Sequence, residues 1–457
     1  MVDVYQEFTK NFLTLLDSVQ GRSTFKCLKS LKKFQQLDSE KIRKIQLERL
    51  RHLLRFSYEH VPYYHKVFQE NNLKPHDIQG LADLEKLPIL TKDIIRKNFQ
   101  ELIATNRSTK GSILCSTSGT TGEPICFLKT KQQQSWENAA GYLATSWYGF
   151  DPGYKHALLW ALPSSLSVWQ KKLNFLVREK VLNTFKMSQE TLRQFAREMT
   201  TFKPDVLRGY STMLHFFAQF VKEEGIEIRP GCVVATGEDL VDYQRRKIQD
   251  VFGCDSFSFY ASREISAIAA ECFTHEGYHV MDSNVVLEII KDGLQIHTEE
   301  TGMIVLTDLT NYGMPLIRYQ LGDLARLSTE KCSCGKSLSL IKKIDGRISD
   351  MLIDVNSYYS ASPSAHYVFK GLPVKQYQIV QETAEKIKIR LVRDEGYSEK
   401  DTEVITQRVQ QYLGTFNVTF EYVYCISPQR SGKMRVIKSQ LPRKRLSNAF
   451  SHPYNTD

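Results

Sequence analysis

Apolar residues over the first sixty positions recur at helical spacing with charges between them, as in Ile42-Arg43-Lys44-Ile45-Gln46-Leu47-Glu48-Arg49-Leu50. That pattern predicts helices with one buried face, and Pro62 stops the run. Between 112 and 330 the pattern changes to short apolar runs alternating with amphipathic stretches. Ala157-Leu158-Leu159-Trp160-Ala161-Leu162 is followed by a helix-like span from Ser188 to Thr200, then by Val206-Leu207-Arg208-Gly209-Tyr210. Such alternation predicts α/β layers. Ile113-Leu114-Cys115 reads as one more short buried strand.

From Val285 onward, Val285–Ile290, Leu294–His297 and Gly302–Thr307 read as consecutive strands joined by glycine-bearing turns. Beyond a boundary near 346–350, Gln376–Gln381 and Lys386–Val392 alternate like strands. Asp401–Leu413 reads as a helix and Val418–Ile426 as a further strand. The fold class expected is therefore α/β. A large multi-layer N-terminal domain, 1–347, precedes a small α+β C-terminal domain, 348–457, of about 110 residues. There is no internal repeat and no low-complexity stretch.

Composition narrows the setting. The first twenty residues carry Asp3 and Glu7 and lack a basic start followed by an apolar core. No apolar run approaches the length of a membrane span, so neither a signal peptide nor a span is expected. The nine cysteines are odd in number and scattered, which favours a reducing, cytoplasmic setting where clustered cysteines more often hold metal. The net charge of +10 admits nucleic acid, anionic lipid or an acidic substrate. No nucleic-acid-binding motif is present. Pro442-Arg443-Lys444-Arg445 reads as a solvated tail, and peripheral association with an anionic membrane face stays open.

The most informative stretch is Ser116-Thr117-Ser118-Gly119-Thr120-Thr121-Gly122-Glu123-Pro124. Its five hydroxyl side chains and two glycines suit close approach to phosphate oxygens. It is not a Walker loop, because no lysine follows the second glycine; taken alone, a plain surface loop is the competing reading. Cys272, His279 and the Cys332-Ser333-Cys334 pair offer three thiolates and an imidazole, a closed structural zinc set. His275 is a rival ligand, and three reduced core cysteines are the alternative.

The loop resembles the phosphate loop of the adenylate-forming (ANL) superfamily, S-G-T-T-G-x-P, and more narrowly its phenylacetate–CoA ligase-like branch, which includes capsule-biosynthesis ligases. Further segments match in order: Phe259-Tyr260-Ala261-Ser262-Arg263-Glu264, Met314 to Asp323, Gly346-Arg347-Ile348-Ser349-Asp350 and Ser431-Gly432-Lys433. Val61-Pro62-Tyr63-Tyr64 and Leu87-Pro88-Ile89-Leu90-Thr91-Lys92 also look like this branch. The resemblance spans residues 45–441.

It implies an ATP-dependent ligase that forms an acyl-AMP, releases pyrophosphate and passes the acyl group to coenzyme A. An amine acceptor, such as a sugar amine in capsule or O-antigen polysaccharide biosynthesis, is the alternative, and a nucleotide-binding module without turnover is a further one. By resemblance, Ser118, Gly119, Thr120, Thr121 and Gly122 hold the pyrophosphate, Tyr260 stacks on adenine and Glu264 binds Mg2+. Gly237 and Glu238 form an adenine-side turn, and Asp323 and Arg347 face the ribose. Lys433, on a mobile small domain, serves adenylation. Some members of the branch carry a Cys/His zinc site like the one outlined here. Ala261 and Arg263 depart from the usual Y-G-x-[TS]-E, with Arg263 suited to bidentate contact with the α-phosphate. Ser349 stands where two aspartates are common. The acid itself is not legible; Trp160 and Tyr210 are the candidates for its pocket.

Overall fold

A computed structural model describes residues 4–106, 111–117, 124–162, 167–184, 187–347, 352–353, 359–360, 362–426 and 436–441. The chain forms two compact units. The first comprises Met1–Leu287, Val305–Gln320 and Ser328–Lys342; the second comprises Glu288–Ile304, Leu321–Leu327 and Lys343–Asp457.

The N-terminal helices of the first unit are Val4–Val19, Thr24–Phe34 and Ser39–His60. Asp38 caps the third, its carboxylate accepting from the Lys41 amide. Pro62 ends that run and opens the next helix, Pro62–Glu70, at a position that needs no amide donor. At the centre lie five parallel strands in the order Glu179–Asn183, His156–Trp160, Val206–Tyr210, Cys232–Thr236 and Ser256–Tyr260. Ala269–Glu271 and Tyr278–Val280 extend this sheet antiparallel.

Because neighbouring side chains point to opposite faces, the inner strands Val206–Tyr210 and Cys232–Thr236 feed two cores. Leu207, Val233 and Ala235 pack under the helices Gln189–Phe202, Ser211–Glu223 and Asp242–Phe252, against Phe195, Phe217 and Phe252. Val206, Cys232, Val234 and Phe257 face the opposite way, onto Leu28 and Leu31 of the Thr24–Phe34 helix and Ala140 and Leu143 of Lys131–Trp147. Strands buried on both faces explain the near-continuous apolar runs in the sequence.

The strand Ile113–Ser116 exists, but it is not buried. It pairs only with Cys126–Lys129 in a two-stranded hairpin, Ser116 opposite Cys126. Among the described residues no second layer covers it, and Ile113 and Leu114 remain more than half exposed.

In the second unit the strands Asn417–Tyr422, Lys386–Arg393, Val374–Gln381 and Ile437–Ser439 form one sheet in that order. Ile379, Ile387, Ile389 and Leu391 pack on Ile405 and Val409 of the helix Glu399–Tyr412. Its final long strand is shorter than the sequence pattern suggests, ending at Tyr422 rather than Ile426. Among the described residues no helix is long and apolar enough to cross a membrane.

Candidate active site

Four of the parallel strands deliver candidate residues at their C-terminal ends, the edge where open α/β sheets bind ligands. Trp160 and Tyr210 end neighbouring strands, and their rings stack 4.9 Å apart at 20°. The next strand runs into Gly237 and Glu238. Gly237 has φ +74°, a conformation that favours glycine and lets the chain turn at once. Glu238 accepts from the Thr212 amide at 3.0 Å and the Thr212 hydroxyl at 2.5 Å. Burial raises the Tyr210 phenol, Glu238 pushes it further, and Arg263 opposes them. Tyr260 closes the adjacent strand, where the Thr236 hydroxyl donates to the Phe259 carbonyl at 2.8 Å. Arg263 is exposed.

Glu264 is buried in the loop that follows. Ser262 and Ile265 close a tight turn around Arg263 and Glu264, amide to carbonyl at 2.9 Å and amide to hydroxyl at 3.0 Å. The Tyr319 hydroxyl donates to Glu264 Oε1 at 2.6 Å, and Gln133 donates to the Glu264 carbonyl at 3.1 Å. Gln133 also reaches Asp308, at 2.8 Å. Burial pushes the Asp308 carboxyl up to about 6 against the pull of its bonds from Thr310. The sequence reading missed Gln133, Tyr319 and Asp308 as partners of this loop. They lie far apart along the chain, and only the fold brings them together.

The motif segments upstream also converge. Tyr64 donates to the Pro315 carbonyl at 2.9 Å and accepts from the Ile317 amide at 3.0 Å. Leu90 pairs with the Arg318–Gln320 backbone through two bonds of 2.9 Å.

In the second unit Asp323 is buried, and its Oδ1 lies 3.3 Å from Arg347 Nε. The two residues assigned to the ribose are thus neighbours. The loop residues Ser118, Gly119, Thr120, Thr121 and Gly122 lie outside the described residues, as do Ser349, Asp350 and Lys433.

Cys272, His279, Cys332 and Cys334 come together, with their ligand atoms all within 4.8 Å of one another. Cys272 Sγ is 3.6 Å from Cys332 Sγ, and Cys334 Sγ is 3.2 Å from His279 Nε2. His279 is fully buried, and its Nδ1 has no hydrogen-bond partner among the described residues. Burial raises the Cys272 thiol, but bonds from His279 and Thr274 outweigh it and hold it at about 6. Burial pushes its neighbour Cys332 up to about 12. Two thiolates this close repel each other, and a dication relieves that conflict. Tetrahedral zinc with bonds of about 2.3 Å to sulfur and 2.0–2.1 Å to nitrogen needs ligand separations of about 3.8 and 3.5 Å. The donor set fits zinc on both chemistry and spacing. His275 takes a different place: its Nδ1 is 3.6 Å from Glu271 and its ring stacks on Phe257.

The model of the CapK C-terminal domain matches residues 362–440. A phenylacetate–coenzyme A ligase of Thermus thermophilus is 26% identical over 411 residues, 82% of this chain and 86% of that protein. Protein CapK of Staphylococcus aureus is 27% identical over 406 residues, 86% of this chain and 88% of that protein. In fold, the chain is similar to 2-hydroxyisobutyryl-CoA ligase in the postadenylation state with R3-HIB-AMP. The TM-score is 0.74 at 18% identity, covering 90% of this chain and 92% of that one. In its ordered motifs and along most of its length the chain is similar to phenylacetate–CoA ligases and to protein CapK, and in its layered α/β fold to an acid–CoA ligase of the adenylate-forming type.

Proposed function

We propose that this chain activates a small carboxylic acid with ATP and transfers the acyl group to coenzyme A. The observation that carries the reading is the convergence of Glu238, Tyr260 and the Glu264 loop at the C-terminal edge of the parallel strands, in a chain similar along most of its length to a phenylacetate–CoA ligase.

In the first step a carboxylate oxygen attacks the α-phosphorus, the bond to the bridging oxygen breaks, and pyrophosphate leaves. Ser118, Gly119, Thr120, Thr121 and Gly122 hold the departing phosphates through backbone amides and hydroxyls. Tyr260 stacks on adenine beside the Gly237–Glu238 turn, and Asp323 accepts from the ribose hydroxyls with Arg347 at its side. Lys433 places a positive charge where negative charge builds on the α-phosphate. Arg263 is suited to the same phosphate in bidentate fashion. Glu264 would hold Mg2+, which neutralises phosphate charge when bound. In the second step the sulfur of coenzyme A attacks the acyl carbon and AMP leaves.

Cys272, His279, Cys332 and Cys334 would hold a structural zinc, closed to substrate by its four protein ligands. A small C-terminal domain beginning near 348 carries Lys433. A reducing, cytoplasmic setting accords with nine cysteines that are all free. Transfer to an amine, as in capsule polysaccharide synthesis, is the second reading.

A pyrophosphate-release screen over carboxylic acids, with coenzyme A or amino sugars as acceptor and products read by mass spectrometry, tests the proposal. An acyl thioester is the expected product. An amide formed in preference would establish the second reading, and no acid-dependent release with any acceptor would overturn both.

A further inference from the structure

Lys129 and Glu137 form a buried ion pair that the sequence did not single out. Lys129 ends the strand Cys126–Lys129, Glu137 lies on the helix Lys131–Trp147, and each side chain is only 8% exposed. Lys129 Nζ donates to Glu137 Oε1 at 2.7 Å, to Glu137 Oε2 at 2.8 Å and to Ser266 Oγ at 2.6 Å. Those contacts match the three protons of an ammonium group. Glu137 Oε1 accepts in turn from the Ser266 amide at 2.8 Å. Ser266 is therefore gripped twice, at its backbone by the carboxylate and at its hydroxyl by the ammonium.

Ser266 stands two residues beyond Glu264. On the other side of Glu264, the same helix supplies Gln133, which binds the Glu264 carbonyl and Asp308. The Tyr319 hydroxyl fixes one carboxylate oxygen, Oε1. Among the described residues no hydrogen bond reaches Oε2. One helix thus holds the loop at Glu264 through Gln133 and at Ser266 through Glu137, with one oxygen of the buried carboxylate left for a ligand.

Burying two charges costs several kcal/mol per ion, and an apolar pair of similar volume often folds as well or better. Stability alone is a weak reason for this pair. What an apolar pair cannot supply is the double grip on Ser266.

We propose that Lys129 and Glu137 are positioning residues, which set the place of the Glu264 carboxylate for a divalent cation through Ser266. The inference rests on the reading of Glu264 as the cation-binding carboxylate. Neither residue touches substrate.

The test compares wild type with the double variant Lys129→Met/Glu137→Leu, which replaces the pair by apolar side chains. Three quantities are measured: the melting temperature, hydrogen exchange of segment 261–268, and the Mg2+ concentration that half-saturates ATP binding in calorimetry. The double variant is expected to melt within a few degrees of wild type. Exchange at 261–268 should speed up, and half-saturating Mg2+ should rise by about tenfold, the order expected when a site residue is misplaced by a fraction of an ångström. Should the double variant not fold, Ser266→Ala, which loses only the hydroxyl grip, is expected to raise the Mg2+ requirement by about threefold, one hydrogen bond's worth.

A folded variant with wild-type exchange at 261–268, or with faster exchange and an unchanged Mg2+ requirement, overturns the proposal. Wild-type protein that binds ATP without any Mg2+ dependence would instead remove the assignment of Glu264. The two failures are therefore distinguishable.

Discussion

Replacing Cys334 by serine probes the metal centre with the least collateral damage, because Cys334 is half-buried whereas Cys272 and Cys332 are buried. The separations of 3.6 and 3.2 Å between paired ligand atoms fall within a few tenths of an ångström of the tetrahedral values of about 3.8 and 3.5 Å. On the proposal of a structural zinc, the metal would bind a site already formed by the fold, and its stabilisation would follow mass action. At free zinc about a thousandfold above Kd that amounts to about 4 kcal/mol. For a unit of this size the unfolding entropy of about 0.7 kcal/mol/K makes each kcal/mol move Tm by about 1.5 °C, so removing the metal should lower Tm by about 6 °C. The assay is zinc content per chain in protein purified without chelator, alongside calorimetric melting before and after chelation. Wild type should hold one zinc per chain and lose that increment on chelation. Cys334→Ser should hold much less than one and melt low, with no further loss on chelation. Zinc far below one equivalent in wild type, or a melting temperature indifferent to chelator, would return these cysteines to ordinary core residues.

Asp323→Ala should weaken ATP binding severely in calorimetry, since it deletes two charge-assisted hydrogen bonds worth roughly 1.5–3 kcal/mol each; unchanged affinity would end the ribose assignment. Lys433→Ala should slow adenylate formation by at least about 10²–10³ while still consuming a chemically made acyl-adenylate; equal damage to both half-reactions would show that the lysine is not confined to the first. Burial pushes the Asp282 carboxyl up to about 6, against the pull of its bonds from Ser339. A carboxyl raised on folding contributes stability that is full below about pH 4 and is lost as pH rises through 6. Asp282→Asn should remove that slope, about 3 kcal/mol for a shift of about two units, in denaturation curves taken from pH 4 to 7; an unchanged slope would refute the assignment.

The parallel core was legible because strands buried on both faces must be nearly continuous apolar runs, as Cys232–Thr236 is and as Val206–Tyr210 is apart from the half-buried Arg208. Ile113–Ser116 misled for the same reason: Ile113, Leu114 and Cys115 are apolar, but among the described residues its one partner is a short strand and no layer covers it. The Cys/His cluster could be gathered from residue types, whereas spacing could not choose between His275 and His279. The choice is made by the strand Tyr278–Val280, which buries His279 beside Cys334, and by the turn at His275, with φ +56°, which carries that ring to Phe257. The clamp on the Glu264 loop had no local signature. Lys129 and Ser266 meet across 137 positions of chain, and a lysine at the end of an apolar strand reads as its solvated terminus.

The central claim is that this chain makes an acyl-adenylate. Exchange of labelled pyrophosphate into ATP, measured across a panel of small carboxylic acids with no acceptor present, tests it most directly, because the exchange requires reversible adenylate formation and nothing after it. Exchange is expected to depend on one class of acid and on Mg2+, and to fall by at least about 10²-fold in Lys433→Ala. A protein that binds ATP and Mg2+ yet shows no acid-dependent exchange across the panel would contradict it, leaving a nucleotide-binding module without turnover.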